Sequence, residues 1–164
     1  LITFGFETTK SKALKDPNTD QNNIEAKEAD YLYVKSSQLS NSGNGLFTAI
    51  TIYKEEIIAL FRGEVLSDTE SKKRAKQGNN GYFMNLPNGR ILDCRLTEGF
   101  AKYANDASGF STSYFKNNAK ITLDENKNVC LIALKKINSG EEIFCDYGKS
   151  YWKNHNKIQT KCLK

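Results

Sequence analysis

No two of the four cysteines stand close together. Cys94, Cys130, Cys145 and Cys162 form no C-x-x-C pair, and the one histidine, His155, neighbours only the last of them. Tetrahedral zinc needs four converging ligands, usually delivered as close pairs, so no metal is expected. Nothing resembles a secretory signal, which favours free thiols in a reducing, intracellular compartment over a disulfide framework. The apolar start, Leu1 to Phe6, is too short for a signal core or a membrane span, so no membrane partner is expected. A chain that opens on Leu1 rather than Met reads as a trimmed piece. There is no internal repeat and no dinucleotide-type G-x-G-x-x-G, because Thr48 holds the third position. A stripe of interleaved aromatic and basic residues is also missing: Phe61-Arg62 and Lys102-Tyr103 are isolated pairs, so direct nucleic-acid binding is not required.

What is present fits one domain. A length of 164 residues supports a single core, and 38% hydrophobic content argues against wholesale disorder. The net charge of +5, from 24 basic and 19 acidic residues, is spread along the chain apart from Lys72-Lys73-Arg74 and the C-terminus, the pattern of a solvated face. Residues 1–30 read as a polar tail or loop with a short helix over Ile24 to Ala29; residues 31–153 read as the folded domain and 154–164 as a C-terminal tail. From Tyr31 onward, short apolar and β-branched runs separated by Gly and Asn predict strands. Expected strands cover Tyr31–Val34, Leu46–Ile52, Glu56–Phe61 and Glu142–Phe144. Pro87-Asn88-Gly89 predicts a hairpin between Tyr82–Leu86 and Arg90–Asp93, because Asn-Gly tolerates positive φ. A second hairpin joins Lys120–Leu123 to Val129–Leu134. Ser67-Asp68-Thr69-Glu70 is a capping box that opens a helix ending near Gly78. The fold class is mainly β, with few helices.

Four segments in order resemble the SET methyltransferase family across about residues 31–153. Gly43-Asn44-Gly45-Leu46-Phe47 is similar to its G-x-G-L-F motif, and Phe61-Arg62-Gly63-Glu64 to its Y/F-x-G-E strand end. Phe100 to Ser108, with Asn105, is similar to the motif ending R-F-I-N-H-S. Gly140-Glu141-Glu142-Ile143-Phe144-Cys145-Asp146-Tyr147-Gly148 is similar to G-E-E-L-x-Y-D-Y-G. The resemblance implies a β-clip fold of several small sheets, with knot-like threading of the Asn105 and Tyr147 segments. It also implies protein-lysine N-methyltransferase activity using S-adenosylmethionine and releasing S-adenosylhomocysteine. A protein or peptide lysine is then the substrate, with a histone tail the leading candidate. The compartment would be nuclear for a histone and cytoplasmic otherwise.

Lysine methylation is an in-line displacement, so positioning supplies much of the rate. The amine must be neutral although its free pKa is about 10.4, and an apolar, aromatic channel disfavours the ammonium form. Phe61, Tyr82, Phe144, Cys145 and Tyr147 are the residues expected to line that channel. By resemblance Tyr147 is catalytic, its hydroxyl facing methyl and amine. Cofactor-binding residues are expected to be Gly43, Asn44, Gly45, Leu46, Tyr82, Asn105, Asp106, Tyr147 and Trp152. Each has a plainer reading: a turn before a strand for the glycines, a turn Asn for Asn105 and core packing for the aromatics.

Three departures matter. Asp106 stands where most members carry His, whose side chain packs against the C-terminal segment. Cys145 stands where Tyr or Phe is usual, and its smaller bulk predicts di- or trimethylation. The cysteine-rich flanking segments of many members are missing, leaving Tyr151 and Trp152 to stack on the adenine or cap the channel. The polar stretch from Gly109 to Asn117 reads as a groove wall or a surface loop. Two alternatives differ in class: an inactive SET fold serving as a protein- or chromatin-binding module, and a small β-rich nucleic-acid-binding domain.

Overall fold

In the computed structural model, residues 23–109, 113–149, 151 and 152 are described. Nine strands and two α-helices are ordered along them: α1 Glu28–Tyr31, β1 Leu32–Ser36, β2 Asn44–Thr48, β3 Ile57–Leu60, β4 Glu64–Leu66, α2 Asp68–Lys76, β5 Phe83–Asn85, β6 Ile91–Asp93, β7 Ala119–Leu123, β8 Val129–Ala133 and β9 Glu142–Ile143. The strands make three antiparallel sheets of three, in the orders β1-β2-β9, β3-β8-β7 and β4-β6-β5. Two of the middle strands, β2 and β8, are largely buried. In β8 four of five residues are buried, and in β2 every residue after Asn44 is buried. A fully buried Leu, Ile or Phe contributes roughly 1.5–3 kcal/mol, so these two strands anchor the domain.

The expected helix over 24–29 begins later, at Glu28, and Tyr31 closes it instead of opening a strand. This stretch belongs to the packed body. The Tyr31 hydroxyl donates to the Ile58 carbonyl (2.9 Å), and the Leu60 N–H donates to Glu28 (3.0 Å). Burial, then Glu28 and Glu56, push the Tyr31 phenol up to about 12, so it stays a donor. The expectation of a tail over residues 1–22 lies outside the described residues.

Local signals place the rest. Ser67 Oγ caps α2 by accepting the Glu70 N–H at 3.2 Å, and the chain leaves the helix through Gly78 at φ +75°. None of the residues of α2 is buried. The helix is held through Arg74, which pairs with Asp93 (2.7 Å), Glu64 (2.8 Å) and Glu70 (2.9 Å). At the Pro87-Asn88-Gly89 hairpin, Gly89 adopts φ +80° and its N–H donates to Leu86 (2.9 Å).

The last segment is threaded. After β9 pairs with β2, Phe144 forms a parallel bridge to Asn105 and Cys145 forms another to Ala119. Residues 144 and 145 therefore run between two stretches that are distant in sequence, which is the knot-like arrangement of the fold.

Candidate functional site

The threading depends on a side chain acting as backbone. Buried Asn118 donates its amide to the Glu142 carbonyl (2.8 Å) and accepts the Phe144 N–H (2.9 Å), filling the place of a strand neighbour. The backbone N–H of Cys145 donates to Asn105 (2.8 Å), and that of Ala119 to Phe144 (2.9 Å). Successive residues of an extended segment face opposite sides. Phe144 accordingly packs with Leu39 and Ala107, its ring 5.4 Å from that of Phe115. Cys145 faces the main core, and its Sγ lies 3.5 Å from the Ala104 carbonyl.

The Tyr147 hydroxyl donates to that same carbonyl at 2.8 Å. Burial pushes the phenol well above its ordinary range, and its acidic neighbours, Asp106 among them, push it further. It is therefore a protonated, oriented hydroxyl at neutral pH. It can aim lone pairs and a proton but cannot serve as a general base. Around it, the Tyr151 ring meets its edge at 4.9 Å and the Trp152 ring lies nearly parallel at 6.4 Å. Tyr82, 42% exposed, stands at the solvent side within electrostatic reach.

The Gly43–Leu46 loop splits into two kinds of residue. Gly43 has φ +64° with open space where a Cβ would project, and Asn44 is exposed. Gly45 is buried, and a Cβ there would collide with the carboxylate of Glu142. That carboxylate, itself buried, accepts Ser37 Oγ (2.6 Å) and the Gln38 N–H (2.7 Å). Gly45 is thus required by an internal packing contact, and Leu46 is wholly in the core. Asn105 joins the loop to the threaded segment, its amide donating to the Asn44 carbonyl at 2.9 Å.

Asp106 is a hub. One carboxylate oxygen accepts the Ser108 N–H (2.8 Å), Ser108 Oγ (2.5 Å) and the Asn117 amide (2.9 Å). The other accepts the Tyr147 N–H and the Trp152 indole N–H, both at 2.8 Å. Burial alone would raise its pKa, but hydrogen bonds from Ser108, Trp152, Tyr147 and Asn117 outweigh it and hold the group below its usual range.

Of the expected site residues, the structure gathers Tyr147, Cys145, Asn105, Asp106 and Trp152, with Gly43 and Asn44 reached through Asn105. Phe144 lies on the opposite side of the threaded segment. Phe61 is half-buried between two core clusters and lines a crevice with Arg62, Cys94, Gly99 and Lys102. Sequence reasoning missed the Ala104 carbonyl, Asn118 and the Glu142–Ser37 contact. A main-chain acceptor leaves no signal in residue type, whereas the paired Asn117-Asn118 just before a strand was a usable one. Cys94, Cys130 and Cys145 are free and buried; Cys162 and His155 lie outside the described residues.

Taken as chemistry, this rim suits a ligand with one flat apolar part and one polar, charged end. Open main chain at Gly43 and Asn44 can approach the polar end closely, while the rings of Tyr82 and Trp152 suit the flat part. S-adenosylmethionine has both parts, so the residues fit the group that the resemblance implies.

A family model described as the SET domain matches residues 43–148. The chain is 23% identical over 174 residues to histone-lysine N-methyltransferase 2D of Homo sapiens, covering 94% of this chain and 3% of that protein. It is 29% identical over 135 residues to histone-lysine N-methyltransferase trr of Drosophila melanogaster, covering 80% and 5%. It is 32% identical over 109 residues to histone-lysine N-methyltransferase EZ1 of Zea mays, covering 65% and 11%. The chain thus spans at most 11% of the length of these three relatives. A solved structure of a humanized mutant of the Chaetomium thermophilum Polycomb Repressive Complex 2, bound to the inhibitor GSK343, matches with a TM-score of 0.59 and 27% identity, over 71% of this chain and 15% of that one.

Proposed function

Because the chain belongs to the SET-domain family, we propose that it transfers methyl groups from S-adenosylmethionine to the side-chain amine of a protein lysine. A histone is the leading substrate, which implies a nuclear, chromatin-associated role. The observation that carries this reading is the fixed Tyr147 hydroxyl, tied to the Ala104 carbonyl at 2.8 Å beside the Asn105–Asn44 contact. A hydroxyl whose proton is held by an internal acceptor has its oxygen lone pairs fixed in direction, the positioning that a displacement reaction rewards.

The methyl donor supplies an electrophilic carbon on a positively charged sulfur. Gly43, Asn44 and Asn105 would hold its polar end, Tyr82 and Trp152 its flat end. The chain's own residues set the state of the amine. Tyr147 and Tyr82 bring little charge to the approach, with Cys145 buried beside the Ala104 carbonyl that holds Tyr147, which favours the neutral amine over the ammonium. Protonated Tyr147 orients the nitrogen and accepts weak contacts from the polarised methyl. Cys145, smaller than Tyr and a poor donor, leaves room for an amine that already carries methyl groups, so di- or trimethyl-lysine is the expected product.

Calorimetric titration of S-adenosylmethionine, followed by radiolabelled transfer to histones, tests the proposal with wild type and Tyr147→Phe. Expected are binding by both and transfer reduced by Tyr147→Phe on the order of 100-fold. A folded wild-type domain that binds no cofactor would refute it. Binding without transfer to any protein would favour the SET fold as a binding module.

A further inference from the structure

Asp106 does more than sit in a motif. Its first oxygen is immobilised by Ser108 and Asn117, so the carboxylate has a fixed orientation. Its second oxygen is shared by two donors five residues apart, the Tyr147 main chain and the Trp152 indole, each at 2.8 Å. Between them the chain turns at Gly148, φ +81°, and Tyr151 N–H closes back on the Gly148 carbonyl (3.2 Å). That turn sets Trp152 nearly parallel to the Tyr147 ring, 11° between planes. A single atom thereby fixes both the register of Tyr147 and the position of the aromatic turn beside it.

We propose that Asp106 is a positioning residue, a latch whose carboxylate holds the Trp152 turn against Tyr147 and makes that turn the closing wall of the methyl-donor site. The proposal rests on the methyltransferase reading only for the identity of the ligand behind the wall. Nothing but a carboxylate fits the hub well. An amide at 106 keeps one acceptor oxygen and turns an NH2 group toward donors, whichever way it is rotated. Replacing Trp152 by Phe keeps a six-membered apolar ring and removes the N–H together with the rest of the pyrrole half of the indole. Trp152→Phe therefore removes this bond from one end, and Asp106→Asn disturbs it together with the other bonds of the hub.

Trp152 is the single tryptophan of the chain and reports on itself. Its emission and acrylamide quenching are measured in wild type and Asp106→Asn, with circular dichroism and Tm as checks of folding. S-adenosylhomocysteine affinity is measured by calorimetry for wild type, Asp106→Asn, Trp152→Phe and the double variant. In Asp106→Asn, emission should move to the red and quenching should rise about twofold or more. Affinity should fall about tenfold in Trp152→Phe, the scale of one charged hydrogen bond, and at least about tenfold in Asp106→Asn, with no further fall in the double variant beyond Asp106→Asn, because the contact to Trp152 is already lost there. Unchanged quenching in a folded Asp106→Asn, or additive losses in the double variant, would overturn the latch. Should Asp106→Asn not fold, Trp152→Phe decides: about tenfold weaker binding supports the latch, and unchanged binding removes it. A wild type that binds no S-adenosylhomocysteine refutes the methyltransferase reading instead, and leaves the quenching comparison to judge the latch alone.

Discussion

Arg74 and Asp106 each gather several partners around one charge, in opposite surroundings. Arg74 lies at the margin of the β4-β6-β5 sheet, its side chain 16% exposed, and its partners are the carboxylates of Glu64, Glu70 and Asp93. Asp106 is 2% exposed, and its partners are neutral N–H and O–H groups. The first arrangement attaches a helix that buries none of its residues; the second attaches Tyr147, the proposed catalytic residue. Countercharges near the surface are weakened by salt and by water. A buried charge surrounded by fixed dipoles is insulated from salt but leaves its donors stranded when it is removed. An attachment that has to be positionally exact is built the second way here.

The comparison yields three tests, beginning with the largest effect. Asp106→Ala should cost ~3 kcal/mol or more, since several inward-facing donors lose a charged acceptor together. This is read as a lower denaturant midpoint at unchanged m-value, and a loss under ~1 kcal/mol would deny Asp106 its role as a hub. Arg74→Met should cost less and mainly release α2, seen as faster amide exchange over Asp68–Lys76. That loss should shrink at molar salt, whereas the Asp106 loss should not; equal salt responses would erase the distinction between the two charges. The smallest effect is in pH. The folded-state pKa of Asp106 is lowered, so its stabilisation is complete above the ordinary carboxylate range and disappears as pH falls through the lowered value. Trp152 emission should hold from neutral down to roughly pH 4 and change only below it. A change starting near pH 6 would mean that the donors do not hold the carboxylate.

The parts of the fold legible in the sequence were those whose cause is local. Pro87-Asn88-Gly89 and the Ser67 cap act within a few residues, and the structure forms both. Four motifs keep their spacing in the sequence, and the structure draws Asn105, Asp106 and Tyr147 together. What stayed hidden depends on partners far along the chain. Gly45 read as room for a ligand, yet its missing side chain makes room for Glu142. Phe144 and Cys145 were both expected in one channel, although alternation in an extended segment already sets neighbours on opposite faces. Ala104 contributes only a carbonyl, to which residue type gives no clue.

The threading also fixes an order of events. Ser37 meets Glu142 across 105 positions, and Ala104 meets Tyr147 across 43. Both hairpins can close while the chain is still emerging from the ribosome, because their strands are neighbours in sequence. The Tyr147 hydroxyl has no acceptor until the 142–147 segment has slid between residues 105 and 119, and contacts that span so much chain form slowly. The site is therefore completed only when the 142–147 segment takes its place between residues 105 and 119.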